Sequence, residues 1–291
     1  MIELPAVFER RPWGLVVVHG PDATSFLQSI VSQDLDPVEV GATVAALLLQ
    51  PQGKLDAVFR ATRRGSGPDG DEWWLDTEPQ AAERLASGLA RFRIRVKADL
   101  EDRTAATACA SVVGAPVDDP DPSLASVATA WGDRPGVDVV GPGDAVTAWV
   151  AACGLRVGAR AELEVLRIEA GVPAQGVDID ESTIPQEAFL ERDAVSFTKG
   201  CFIGQELVCR IDTRGHVNRF LRRLAITGAA VPAGGADVRL DGKVVGAVTS
   251  AAVVPGEDRV VALAMLRREV EPPVAVTVAV DGDDAPATVL L

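Results

Sequence analysis

The sequence predicts an α+β chain that ends in a separate antiparallel β unit, and three observations carry this. Helical and strand-like patterns alternate up to about residue 220 without the glycine-rich loop of a dinucleotide fold or a P-loop. After Arg223 the pattern turns to short strand-like runs at 224–227, 237–240, 243–249 and 274–280, with Asp-Gly pairs at 241 and 281. Asp-Gly between such runs marks hairpin turns. The length of 291 residues allows two or three compact units. A boundary is therefore expected near 218–226, dividing a body over 1–220 from a β unit over 221–291.

The elements follow in order. Residues 14–19 are an apolar run suited to a strand, and Gly20-Pro-Asp22 opens a helix whose Phe26, Leu27, Ile30 and Val31 share one face. Residues 44–49 and 55–60 flank Gln50-Pro-Gln-Gly53 and read as two strands joined by a turn. Residues 63–71, with three glycines and a proline, predict an exposed loop before the strand Trp73–Leu75. Pro79 suits the first turn of a helix running to about Ala90, with Leu85 and Leu89 inward. Arg91-Phe-Arg-Ile-Arg-Val-Lys97 alternates cation and apolar residue at period two, as a half-buried strand does. Residues 114–143, including Asp118-Asp-Pro-Asp-Pro122, read as loops around one short strand. Residues 159–170 form a helix with Leu163, Leu166 and Ala170 aligned, ending at Gly171.

Composition narrows the function classes. Hydrophobic residues make up 47% of the chain, yet no apolar stretch approaches the roughly twenty residues of a membrane helix. Glu3, Glu9, Arg10 and Arg11 precede no long apolar segment, so no signal peptide and a cytoplasmic location are expected. Cysteines at 109, 153, 201 and 209 form neither a disulfide framework nor a CxxC pair, which fits a reducing compartment. A formal charge of −14 argues against a general nucleic-acid binder. Between Lys199 and Arg223, however, six basic residues face only Glu206 and Asp212.

The densest chemistry lies in Lys199-Gly-Cys-Phe-Ile-Gly-Gln-Glu206. A thiolate is the reactive form of cysteine, and a nearby ammonium and a helix N-terminus both lower its pKa. Cys201 is therefore either a functional thiol supported by Lys199 or an unreactive thiol packed beside Phe202. Gly200 would allow a turn, and Gly204 a close approach of another backbone or ligand. Cys201, Cys209 and His216 make a weak metal set, and four scattered cysteines do not suggest a resident iron–sulfur cluster. No metal is expected.

This octapeptide resembles the signature of the YgfZ family, folate-binding proteins related to the glycine cleavage T-protein and associated with iron–sulfur protein maintenance. The resemblance extends to Leu166-Arg-Ile-Glu-Ala-Gly171, Gly176-Val-Asp-Ile-Asp-Glu181 and Ile184-Pro-Gln-Glu187. It also covers the opening Val18-His-Gly-Pro-Asp-Ala-Thr-Ser-Phe-Leu-Gln28, then Gln33-Asp34 and Gln50–Lys54. Gly242–Ser250 is similar to the barrel domain that closes both families.

The resemblance implies a three-lobed arrangement around a central tetrahydrofolate cavity, with a second lobe over roughly 50–150 and a C-terminal antiparallel β-barrel. A pterin presents two adjacent donors that one carboxylate can accept together. Glu187 matches the acidic position of the corresponding T-protein motif and is the first choice, although it also suits a helix N-terminus. Glu169 and Asp178 are further acids in matching segments. Arg214 and Arg219 are candidates for the anionic glutamate tail, with a solvated turn as the alternative. Gln205 and Glu206 complete the cofactor-binding candidates, while Cys201 and Lys199 form the functional motif.

The function implied is a tetrahydrofolate-binding accessory protein for iron–sulfur assembly or repair, with folate and iron–sulfur client or assembly proteins as partners. Aminomethyl transfer to folate is the alternative. At the place of the T-protein asparagine-alanine motif, however, this chain has Asp76-Thr-Glu-Pro79, with Glu83 further along. T-proteins also lack the Lys-Gly-Cys signature. A thiol-bearing scaffold that acts without folate is the third reading.

Overall fold

The computed structural model describes residues 2–67, 69–117 and 121–291, so Asp118, Asp119 and Pro120 of the proline-aspartate run lie outside the described residues. The chain opens with β1 (Ala6–Arg10), then crosses to β2 (Gly14–Gly20) and α1 (Ala23–Gln28). A meander of β3 (Thr43–Leu49), β4 (Leu55–Gly67) and β5 (Gly70–Thr77) leads into α2 (Pro79–Ala90) and β6 (Asp99–Asp102). Next come β7 (Thr107–Val113), β8 (Ala125–Trp131), β9 (Arg134–Pro142), α3 (Gly143–Ala152), β10 (Arg156–Val157) and α4 (Arg160–Ala170). The short α5 (Glu191–Ala194) and α6 (Gln205–Arg214) precede the C-terminal strands. These are β11 (Arg219–Thr227), β12 (Asp237–Leu240), β13 (Lys243–Val253), β14 (Arg259–Arg267), β15 (Val274–Val280) and β16 (Asp283–Val289).

Three sheets result. One five-stranded sheet has the order β3-β4-β5-β2-β6 and another the order β10-β1-β7-β9-β8, while β11-β14-β13-β12-β15-β16 close into a barrel. The fold is therefore α+β with a C-terminal antiparallel barrel. Because β1 joins one sheet and β2 the other, Arg11-Pro12-Trp13 is the crossing from the end of β1 to the start of β2 that ties the two sheets. Leu47, Leu55, Val165, Ile168, Ile179, Phe202, Val208, Leu221 and Leu263 form one buried cluster drawn from the first sheet, α4, α6 and the barrel. Among the described residues no helix is long and apolar enough to cross a membrane.

Several local expectations fail for physical reasons. Pro68 of the segment 63–71 lies outside the described residues, and most of the rest is strand instead of loop: β4 runs to Gly67 and pairs with β5 from Gly70, with a register shift between Arg63 and Gly65. Glycine there serves the shifted ladder and close packing, since a Cβ on Gly70 would lie 2.1 Å from the Gly20 carbonyl. Residues 91–97 form no strand. They are a turn with Arg95 at φ 59° and Ile94 exposed, because no neighbouring strand completes their ladder and β6 begins only at Asp99. Residues 114–143 hold two paired strands, β8 and β9, which turn tightly at Gly132 with φ 70°. The barrel has six strands, including β14 and β16, which the sequence reading did not separate.

Candidate functional site

A cavity opens between the two five-stranded sheets in two adjoining compartments of about 490 and 290 Å³. Arg10, Trp13, Glu78 and Trp131 line both. The smaller compartment is floored by a buried charge network. Asp138 on β9 accepts from Arg10 Nη2 at 2.9 Å and from Arg60 Nη1 at 2.6 Å. Arg60 also donates through Nε to Asp76 Oδ2 at 3.0 Å, the pair standing directly opposite on β4 and β5. Asp76 accepts the Trp13 indole N–H at 3.0 Å, and the Arg10 guanidinium lies 4.0 Å from the centre of the Trp13 ring.

Electrostatics fix the protonation of this floor. Burial pushes the Asp138 carboxyl up, but Arg10 and Arg60 outweigh it and hold it below its ordinary range. Cys109 donates nothing to reactivity: burial drives its thiol up to about 12 despite Arg10 alongside, with Arg10 Nη2 3.2 Å from its sulfur. Glu78 is different. Burial raises its pKa, and Arg10 at 4.0 Å compensates only in part, so this half-buried carboxylate gains from a donor brought into the cavity. The buried Trp131 indole N–H and Thr129 hydroxyl have no protein hydrogen-bond partner among the described residues, and both residues line the smaller compartment.

The far wall is the segment 172–179. Gln175 fixes it to β4 by accepting the Val58 N–H at 2.8 Å and donating to the Asp56 carbonyl at 3.0 Å. Asp178 accepts from Arg167 at 2.7 Å and from the Thr249 and Ser250 hydroxyls, which ties the segment to the barrel. Glu169 is paired with Arg134 at 3.3 Å and Arg259 at 3.1 Å. Both acids therefore join lobes.

The octapeptide lies elsewhere, and none of its residues lines either compartment. Lys199 Nζ donates to the carbonyls of Gln28, Val31 and Gln33 at 2.8, 2.7 and 2.8 Å, which latches the segment to the chain after α1. Cys201 is exposed, whereas Phe202 beside it is buried. Gln205 begins α6 and accepts the Phe202 N–H at 3.1 Å, while Glu206 and Arg214 are exposed at its two ends. Gly204, at φ 76°, packs on the turn at 50–53.

Glu187 and Arg219 are brought together, away from the cavity. Glu187 is 6% exposed, accepts the Ile184 N–H at 3.0 Å and receives both Nε (2.9 Å) and Nη2 (3.2 Å) of Arg219. Glu83 lies on the exposed side of α2. Sequence reading missed Arg10, Arg60, Asp138, Trp13 and Trp131. A signal existed: Asp138 interrupts the apolar run Val137–Val140, and Asp76 ends Trp73–Leu75, so each is a charge set against a buried apolar stretch.

Burial also pulls the Lys199 ammonium down to about 8, although Asp34 and Asp36 favour its charge. A lysine whose folded pKa lies below its ordinary value near 10.5 contributes stability that is complete above 10.5 and lost as pH falls through about 8. The unfolding free energy of the native chain should therefore rise relative to Lys199→Met between pH 8 and 10. Denaturant melts over that range check this, and a flat difference would assign Lys199 an ordinary ammonium.

Comparison with known proteins agrees with the architecture. Residues 219–291 match the glycine cleavage T-protein C-terminal barrel domain. The tRNA-modifying protein YgfZ of Klebsiella pneumoniae (strain 342) is 28% identical over 246 residues, covering 78% of this chain and 74% of that protein. The mitochondrial iron-sulfur cluster assembly factor IBA57 homolog of Mycosarcoma maydis is 27% identical over 229 residues, covering 75% of this chain and 57% of that protein. The crystal structure of glycine cleavage system aminomethyltransferase T from Bartonella henselae superposes with a TM-score of 0.82 at 18% identity, covering 98% of this chain and 85% of that one. The chain thus has the glycine cleavage T-protein fold, closes with that family's barrel domain, and is a homologue of proteins named YgfZ, IBA57 and aminomethyltransferase.

Proposed function

We propose that the chain binds a reduced folate in the inter-sheet cavity and serves the assembly or repair of iron–sulfur proteins through the exposed Cys201. The observation that carries the folate reading is the composition of the cavity wall. Trp13 and Trp131 offer flat apolar surface to a pterin, and Glu78 is a half-buried carboxylate able to accept its paired donors. The Trp131 N–H and the Thr129 hydroxyl add polar atoms with no protein partner. These residues fit the group. When bound, a tetrahydrofolate would supply one-carbon carriage, while the protein's own residues hold it and exclude water.

In this reading Glu187 and Arg219 are joined to each other outside the cavity, and Gln205 secures the start of α6. Arg214 and Glu206 remain on the surface, available to a partner. Relatives named for tRNA modification and for iron–sulfur assembly leave two routes open, and the formal charge of −14 favours the protein partner over direct tRNA binding.

Titration with tetrahydrofolate should quench tryptophan fluorescence, because two of the five tryptophans line the cavity. Glu78→Gln should weaken binding by about 1.5–3 kcal/mol, the worth of a charge-assisted hydrogen bond. Unchanged affinity in calorimetry would remove Glu78 from the site, and absence of saturable quenching would remove folate.

The thiol is tested separately. Alkylation near neutral pH should label Cys201 before Cys153 and Cys209, with Cys109 last, in the order of their exposure. Cys201→Ser should fold and bind folate, yet fail to restore iron–sulfur enzyme activity in cells lacking the native protein. Full restoration would leave the segment's role to its backbone and Lys199.

A further inference from the structure

A second cleft, on the side of α4 and the barrel, carries charge that the protein itself leaves unbalanced. Its volume is about 840 Å³, and Arg192, Arg222, Arg223 and Phe189 are among its lining residues. Phe189 stacks on Phe220 with ring centres 5.4 Å apart and planes 7° from parallel. The guanidinium carbons of Arg192 and Arg222 lie 4.4 and 5.2 Å from the centre of the Phe189 ring, so two like charges converge on one aromatic side chain. Phe189 is held there at φ 60°, a backbone conformation unfavourable for a residue with a Cβ.

Many arginines of this acidic chain, Arg60, Arg167 and Arg219 among them, find carboxylates. Two acids line the cleft: Arg134 and Arg259 both reach Glu169, while Asp133 makes no ion pair with Arg192, Arg222 or Arg223 among the described residues. Arg222 has no carboxylate within ion-pair distance among the described residues, and its buried Nε has no hydrogen-bond partner. Burial and then the charge of Arg192 lower its pKa, which is the signature of a cation in a site that lacks its counter-charge. Arg192 meets Glu191 only at 4.0 Å and is itself exposed, a weak pairing. Arg223 donates to the Glu169 carbonyl at 2.8 Å and to an oxygen of Leu291.

We propose that the Arg192–Arg222 cleft is a binding site for a phosphate group carrying about two or more negative charges, either a phosphate monoester or a pyrophosphate. A single carboxylate matches one guanidinium fork and brings one charge. A phosphate brings close to two charges and three acceptor oxygens, enough to bridge both arginines and remove their repulsion. This site is separate from the inter-sheet cavity and does not depend on what that cavity binds.

Calorimetry of the full chain at low ionic strength with inorganic pyrophosphate and with adenosine monophosphate tests it. Saturable binding that weakens as salt is added is expected, and Arg192→Gln and Arg222→Gln should each reduce affinity by roughly tenfold or more. Arg210→Gln, on the exposed surface of α6, should bind like the native chain. Thermal melts establish that Arg222→Gln is folded, and the exposed Arg192 gives a variant that does not perturb the core. Tighter binding of the nucleotide than of pyrophosphate would identify the source as a nucleoside phosphate, and the reverse an inorganic or small phosphate. No saturable binding of either probe up to roughly millimolar concentration, or native affinity in both Arg192→Gln and Arg222→Gln, overturns the proposal.

Discussion

Asp138→Ala should destabilise the protein by about 3–5 kcal/mol, the usual result of stranding a buried charge partner. The carboxylate is 2% exposed and binds Arg10 from its own sheet and Arg60 from the other, so the substitution leaves two guanidiniums facing each other across the junction. Equilibrium denaturation measures the loss. A cost below about 1 kcal/mol, the range of surface pairs, would show that solvent already shields the network. The same group gives an acid limb. Arg10 and Arg60 hold the folded pKa of Asp138 below its unfolded value, so its contribution is complete above the ordinary aspartate range and lost as pH falls through the lower folded value. Native chain and Asp138→Asn should therefore differ progressively less in stability as pH falls below the ordinary aspartate range, because protonation of the unfolded carboxyl then opposes the folded ion pair. The folate binding proposed above should fall with the network as well, because Asp76 and Arg10 orient Trp13 on the cavity wall.

Gly204→Ala should cost about 2–5 kcal/mol, combining about 1–2 for a left-handed residue bearing a Cβ with about 1–3 for forced overlap. Gly204 sits at φ 76°, and a Cβ there would lie 2.4 Å from the Gln50 carbonyl and 2.9 Å from Leu49 Cβ. Backbone cannot yield cheaply, so α6 must shift away from the turn at 50–53 and carry Cys201 with it. Gly200→Ala is the internal control. Nothing lies within 4 Å of its added Cβ and its φ is not left-handed, so it should melt with the native chain. Equal stability of the two variants would show that the octapeptide tolerates bulk at both glycines. If Gly204→Ala alone loses stability and thiol function, the spacing from Gly204 to Cys201 is what the signature preserves.

These two substitutions also separate what was legible in the sequence from what was not. The closing β unit could be read because hairpin chemistry is local: Asp241-Gly242 and Asp281-Gly282 turn the chain with both residues at positive φ, and the runs on either side alternate. Gly204 was equally legible, as a glycine placed for close approach beside a cysteine. Lys199 was legible as important but not in its role. Its ammonium reaches Gln28, Val31 and Gln33, more than 160 residues earlier, and only the folded chain shows whether a cation meets a thiol or three carbonyls. Glu187 and Arg219 stood out singly as ligand candidates, yet packing of β11 against the turn at 185–187 gives each to the other.

Periodicity and turn residues by themselves determined the α+β class and the closing β unit, and the resemblance of the motifs implied the T-protein-like architecture, because all of these are properties of neighbouring residues. The cavity was decided only by the tertiary structure. Arg10, Arg60, Asp76 and Asp138 belong to four strands in two sheets, and their charges become a site only when β1 and β2 divide between those sheets and bring the floor together. Pairing energy in a low-dielectric interior depends on separations of a few ångströms, and spacing along the chain carries no record of them.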